Sequence, residues 1–300
     1  MLQKRDLNIL LQCAISAAYQ AGAIICKHAN AEVKSWDKTE ELSGEERAKV
    51  SVGLASQVVT EVDHLSEATI IKALTPSCEI YNIAMLAEES TDDGGRFKKE
   101  YFWCVDPMDG TLPFTQGKPG YCVSIGLANK NGEPVIGVVY NPVEQDLYYA
   151  IKGEGAFKNG EKWIVNATGK TLTIITDLSL EHHVDYEEIK NGLREQALAL
   201  AYQEISIFNG GGSVMNAIWV VEKAPACYFK LPKKQKGGGC SWDYAASTCI
   251  VNEMNCVATD INGKAINLNR ADTCYMNDCG VLFASDNRIA KLVQTVNQSL

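Results

Sequence analysis

Two aspartates, Asp106 and Asp109, bracket Pro107-Met108 and are followed at once by Gly110-Thr111. They come directly after the apolar run Tyr101 to Val105, so a buried strand would deliver both carboxylates at the edge where it emerges. Upstream, Glu88-Glu89-Ser90 follows another strand-like run ending at Leu86, and downstream Trp242-Asp243 follows a glycine-rich loop. Carboxylates and a backbone carbonyl are the ligands that a hard cation such as Mg²⁺ takes in octahedral geometry, whereas thiols are not. Thr111 adds a hydroxyl at an expected helix start, where free N–H groups and the positive end of the helix dipole favour a phosphate.

Each of these residues also has an ordinary structural reading. Asp, Pro and Gly are common turn formers, and a pair of glutamates suits a solvated loop. Asp243, ahead of Ala245-Ala246, suits a helix N-cap, and Asp63 suits the first turn of a helix. Other chemistries have less to build on. The four histidines, at positions 28, 64, 182 and 183, give a histidine-rich zinc hydrolase little material. The 11 cysteines contain no Cys-x-x-Cys pair and fit reduced, packed thiols and a cytoplasmic location better than a disulfide framework. A formal charge of -9 disfavours nucleic acid and anionic membranes, the only dense basic cluster being Lys230 to Lys236. The polar interruptions Asn8, Gln12, Ser16 and Gln20 set the N-terminal apolar run apart from a signal peptide or membrane span.

The elements that would position these residues follow from hydrophobic period. Leu7 to Ile25 recurs at helical spacing, and Ser35 to Arg47 is charged without a period, which predicts a surface excursion. A helix is expected over Val62 to Leu74, then strands at Ile80 to Leu86, Tyr101 to Val105, Tyr121 to Ala128, Val135 to Tyr140 and Leu147 to Ile151, with Asn131-Gly132 as a hairpin turn. The first half, 1–160, therefore reads as α+β on a largely antiparallel sheet. The second half, 161–300, alternates as α/β: strands at Leu172 to Thr176, Glu204 to Phe208, Cys227 to Leu231 and Gly280 to Ala284, with helices at Tyr186 to Tyr202, Val214 to Val221, Trp242 to Val251 and from Asn287. No Pro/Ser-rich linker separates the halves, which predicts a shared interface.

Taken in order, Glu88-Glu89, Asp106-Pro107-Met108-Asp109-Gly110-Thr111 and Trp242-Asp243-Tyr244-Ala245 resemble the motifs of the lithium-sensitive, metal-dependent phosphatase superfamily of inositol monophosphatases and bisphosphate nucleotidases. The resemblance extends over nearly the whole chain, including Gly137-Val138-Val139-Tyr140-Asn141-Pro142 and Gly153-Glu154-Gly155-Ala156-Phe157. It implies an α/β fold layered as an α-β-α-β-α sandwich. It implies that Glu88, Asp106 and the Met108 carbonyl hold one Mg²⁺, with Asp106, Asp109 and Asp243 around a second and a third ion possible. Thr60-Glu61-Val62-Asp63 matches a further family stretch, which makes Asp63 catalytic together with Thr111: they would help deprotonate the water that attacks phosphorus in line. Inhibition by Li⁺ and a homodimer are further implications.

The substrate segment is less definite. Gly210-Gly211-Gly212-Ser213 precedes a helical run, so Gly212 and Ser213, with Gly110 and Thr111, are candidates for contact with substrate. Lys230 stands where inositol monophosphatases carry a glutamate that binds ring hydroxyls. A basic residue there suits a second phosphate, which points to 3′-phosphoadenosine 5′-phosphate, with inositol monophosphate as the alternative. Lys233 to Gly239 is an insertion of unassigned role. A phosphate-ligand sensor that has lost turnover is the reading from another class.

Overall fold

The computed structural model describes residues 2–29, 35–37 and 58–300. The chain opens with α1 (Lys4–His28), whose apolar stripe of Leu10, Leu11, Ala14, Ala17, Ala18, Ala21 and Ile25 is buried. It is long and apolar enough to cross a membrane by length and composition, but in this fold the stripe packs on a neighbouring helix and a sheet. Strands β1 (Ser35–Asp37) and β2 (Val58–Thr60) pair antiparallel, so the expected excursion at 35–47 begins with a strand; its remainder, from residue 38, lies outside the described residues.

Next come α2 (Glu61–Tyr81), β3 (Ala84–Ala87), β4 (Tyr101–Asp109) and a short helix α3 (Thr111–Thr115). Ile80, expected in a strand, belongs to α2, which runs on through Pro76 until Asn82 turns with φ 52°. Strands β5 (Cys122–Asn129), β6 (Pro134–Asn141), β7 (Asp146–Ile151), β8 (Gly155–Lys158) and β9 (Glu161–Lys162) complete a seven-stranded sheet in the order β3-β4-β5-β6-β7-β8-β9. Only β3 and β4 are parallel in it. The Asn131-Gly132 turn joins β5 to β6 as the sequence predicts, with Gly132 at φ 80°.

The second half supplies β10 (Thr171–Thr176), α4 (Leu178–Glu181), α5 (Tyr186–Ala199), β11 (Glu204–Asn209), α6 (Ser213–Glu222), β12 (Ala226–Lys230), α7 (Ser241–Glu253), β13 (Val257–Thr259), β14 (Val281–Ala284) and α8 (Asn287–Ser299). Helix α5 stops at Ala199 rather than Tyr202, where Ala201 adopts φ 67°. The second sheet runs β11-β10-β12-β14-β13, parallel among β10, β11 and β12 and antiparallel around β14.

Packing arranges these elements in five layers. Helices α1 and α2 cover one face of the first sheet; α6 and α7 lie between the two sheets; α5 and α8 cover the far face of the second. Each boundary follows from an amphipathic helix burying its stripe on a sheet face. Helix α6 is covered on both faces, as its place between two sheets requires: every residue from Ser213 to Val221 is buried. The central core accordingly mixes both halves, Leu86, Phe102 and Tyr148 packing with Val214, Tyr244 and Phe283. The observed architecture is the α-β-α-β-α sandwich.

Candidate active site

Strand β4 carries the acidic pair, and a local irregularity makes the pair usable. In a regular strand, residues three apart point to opposite faces. Between Asp106, opposite Ser124, and Asp109, opposite Cys122, the register shifts by one residue. A bulge of this kind re-aims side chains, and here it turns both carboxylates to one side. The Met108 N–H donates to Asp106 Oδ1 at 3.0 Å and holds the bulge closed. Gly110 follows at φ 90°; a Cβ there would meet the Gly120 carbonyl oxygen at 2.6 Å, so the turn into α3 admits only glycine.

Helix α7 brings the third carboxylate from the other half. Asp243 is not its N-cap: Cys240 is, and Asp243 sits three residues on, accepting from the Cys240 N–H at 2.6 Å. That reciprocal capping box fixes the side chain in the first turn. Among the described residues, carboxylate oxygens of Asp106, Asp109 and Asp243 then lie within 4.8 Å of one another. Asp63, in the first turn of α2, accepts from the Thr111 hydroxyl at 3.4 Å, and the same hydroxyl has the Met108 carbonyl at 3.3 Å. Asp63, Asp106, Asp109 and Thr111 are all buried. Glu88 follows β3, its N–H donating to the Val105 carbonyl at 3.1 Å beside the base of the acidic pair.

Burial first, then the charges of Glu88, Asp109, Asp243 and Asp63, push the Asp106 carboxyl well above the usual carboxylate range. Burial and Asp243 push Asp109 up to about 8, although the Val214 N–H and Lys230 pull it down. Like charges held together out of water resist ionisation. The arrangement therefore fits a hard divalent cation, which would displace the protons that the ion-free cluster keeps.

The sign of the resulting pH effect is fixed. Asp109 in the ion-free fold keeps a proton that an unfolded chain releases near pH 4, so between about pH 4 and 8 the native state binds more protons and its stability falls as pH rises. Melting temperatures measured in chelator from pH 5 to 9 are expected to decline, and saturating Mg²⁺ should flatten the decline. Equal slopes with and without the cation would show that the cluster does not bind it.

Four residues that the sequence reasoning did not assign to the site complete the frame. Glu67, one turn beyond Asp63 and only 3% exposed, accepts from the Glu89 N–H at 2.7 Å and from the Ser90 hydroxyl, and so anchors the segment carrying Glu88. Its i,i+4 spacing from Asp63 was the available signal. Asp177 caps α4 and lies with its Oδ2 3.2 Å from Lys230 Nζ. Burial would raise the Asp177 carboxyl, but Lys230 and the hydroxyls of Ser179 and Tyr228 hold it below its ordinary value. Gly126 and Gly137, opposite each other in β5 and β6, let α7 approach the sheet.

Two of the segments expected to meet substrate have partners within the protein. The backbone N–H groups of the glycine-rich segment are engaged within the protein: Gly211 donates to Asn216 Oδ1, Gly212 to the Gly120 carbonyl, and Ser213 and Val214 to the two oxygens of Asp109. The start of α6 thus holds the Asp109 carboxylate. Lys230, expected to meet a second phosphate, has Asp177 as its counter-charge, with only 14% of its side chain exposed. The Lys233 to Gly239 insertion lies against the segment ahead of β14, Lys233 N–H donating to the Asn277 carbonyl at 2.6 Å and Met276 N–H to the Gly239 carbonyl at 3.0 Å.

Comparison with known proteins agrees with this geometry. A family model described as the inositol monophosphatase family matches residues 6–299. The chain is 30% identical to an inositol monophosphatase of Dictyostelium discoideum over 299 residues, covering 97% of this chain and 96% of that one. It is 28% identical to the Nus factor SuhB of Xylella fastidiosa, covering 98% of this chain and 95% of that one. Among solved structures, a Thermotoga maritima IMPase superposes with a TM-score of 0.68 at 23% identity, covering 96% and 98% of the two chains. With its acidic cluster at the junction of the two sheets, the chain belongs to the inositol monophosphatase family and is a metal-dependent phosphoric monoester hydrolase.

Proposed function

We propose that this protein hydrolyses a small polyol phosphate, inositol monophosphate being the leading substrate, with Mg²⁺ as its cation. The observation that carries the reading is the convergence of Asp106, Asp109 and Asp243 within 4.8 Å, beside the Thr111–Asp63 pair. Glu88, Asp106 and the Met108 carbonyl would hold one ion, and Asp106, Asp109 and Asp243 another. When bound, Mg²⁺ supplies Lewis acidity towards the phosphoryl oxygens and lowers the pKa of coordinated water. Thr111 donates its hydroxyl proton to Asp63, which leaves its lone pairs to accept from the attacking water and to orient it. Asp63 then takes up the proton, and burial keeps bulk water away from the pair. Two or three ions and inhibition by Li⁺ belong to the same reading.

The choice of ester rests on Lys230. Its pairing with Asp177 leaves no net charge at that point to favour a second phosphate, and the named relatives include inositol monophosphatase. Purified protein with inositol 1-phosphate, 3′-phosphoadenosine 5′-phosphate and fructose 1,6-bisphosphate, each with Mg²⁺ and with added Li⁺, tests the proposal. Inositol 1-phosphate is expected to lead in kcat/KM by about tenfold, a difference of about 1.4 kcal/mol in transition-state binding. A lead for the nucleotide would overturn the substrate assignment, and binding without turnover would favour a sensor.

A further inference from the structure

Two thiols lie beside the capping box that fixes Asp243. Cys240 is the N-cap of α7, and its Sγ is 3.5 Å from the Sγ of Cys274. The two backbones are already in register: Cys240 forms an antiparallel bridge with Tyr275, and the Ser241 N–H donates to the Cys274 carbonyl at 2.9 Å. A disulfide needs a sulfur separation of about 2.05 Å, so closing the pair asks for about 1.5 Å of movement, which side-chain rotation and a small backbone shift can share. Cys240 is buried, at 4% exposure, while Cys274 is half-buried and offers the accessible sulfur.

We propose that Cys240 and Cys274 form a dithiol–disulfide couple, oxidised by a hydroperoxide, whose closed form disturbs Asp243 and suppresses turnover. The proposal rests on the phosphatase reading for its consequence, but not for its chemistry. The Cys274 thiolate attacks the peroxide O–O bond, giving a sulfenic acid and, once the leaving oxygen is protonated, water for hydrogen peroxide. The Cys240 thiol then attacks that sulfur, forming the S–S bond and releasing a second water. Two thiols and one hydrogen peroxide thus give one disulfide and two waters.

The link to the site runs through the capping box. Cys240 N–H donates to Asp243 Oδ2 at 2.6 Å, so drawing Cys240 towards Cys274 moves the donor that orients the third carboxylate of the cluster. Glycines 237, 238 and 239, all at positive φ, precede Cys240 and give the backbone room to follow.

The test treats reduced full-length protein with hydrogen peroxide, then maps peptides by non-reducing mass spectrometry and measures Mg²⁺-dependent phosphate release on the same samples. A Cys240–Cys274 linked peptide should form, activity should fall about tenfold or more in step with it, and dithiothreitol should reverse both. Cys274→Ser should form no such peptide and keep its activity in peroxide. Absence of the linked peptide, or its formation with activity unchanged, overturns the proposal. Reduced protein that forms the link but hydrolyses no ester would instead overturn the phosphatase reading, leaving the couple to be judged by how the link alters Mg²⁺ binding in calorimetry: an unaltered affinity sinks it.

Discussion

Asp106→Asn should cost Mg²⁺-dependent phosphate release about a thousandfold or more, close to 4 kcal/mol of barrier, and should at the same time stabilise the ion-free protein. The opposite signs follow from one cause. Asp106 is 1% exposed and surrounded by Glu88, Asp109, Asp243 and Asp63, so its ionised form is strongly disfavoured without a cation. An amide removes the carboxylate that the cation requires and also removes the repulsion that the ion-free fold must bear. Its oxygen can still accept from the Met108 N–H, which preserves the bulge. The gain at neutral pH in chelator is read as a rise in melting temperature. Activity assays and thermal unfolding with and without Mg²⁺ check both halves. Lost activity with lost stability would mean that the substitution damages the fold, and retained activity would remove the cluster from the chemistry altogether.

What the sequence made legible here were short-range patterns. The Asp106 to Thr111 stretch could be read because strand, turn and helix start occur within a dozen residues, and the helices of the middle layer could be read from their apolar runs. The bulge was hidden, since spacing alone puts Asp106 and Asp109 on opposite faces; only the pairing with Ser124 and Cys122 shows them turned together. The partner of Lys230 was hidden for another reason. Asp177 lies 53 residues earlier, on the neighbouring strand's exit, and nothing local to either residue announces the pair. The same holds for Asp109 at the start of α6, a contact across 104 residues in which Ser213 N–H donates to its carboxylate.

Long-range placement also explains why two glycines in the first sheet matter to an aspartate in the second half. Gly126 and Gly137 face each other across β5 and β6, and α7 rests on them through Ala245 and Ala246. A Cβ on Gly126 would meet Ala245 Cβ at 2.6 Å; on Gly137 it would meet the Ala246 carbonyl oxygen at 2.3 Å and Cys249 Cβ at 3.0 Å. The obstruction at Gly137 is backbone, which cannot rotate aside as a side chain can. Gly137→Ala should therefore lift α7 off the sheet and cost about 1–3 kcal/mol, with Gly137→Val costing more. Because Asp243 stands only one short step along the helix from Ala245, the same lift moves it away from Asp106 and Asp109. A shift of about 1 Å in a reacting constellation can cost ~100-fold in rate, so turnover should fall further than stability alone would dictate, and half-saturation with Mg²⁺ should move to higher concentration. Titrating Mg²⁺ against phosphate release for Gly137→Ala, at a temperature where circular dichroism shows it fully folded, separates the two effects. A folded variant with the wild-type Mg²⁺ response would show that the glycine pair serves packing only and that Asp243 is positioned by its capping box alone.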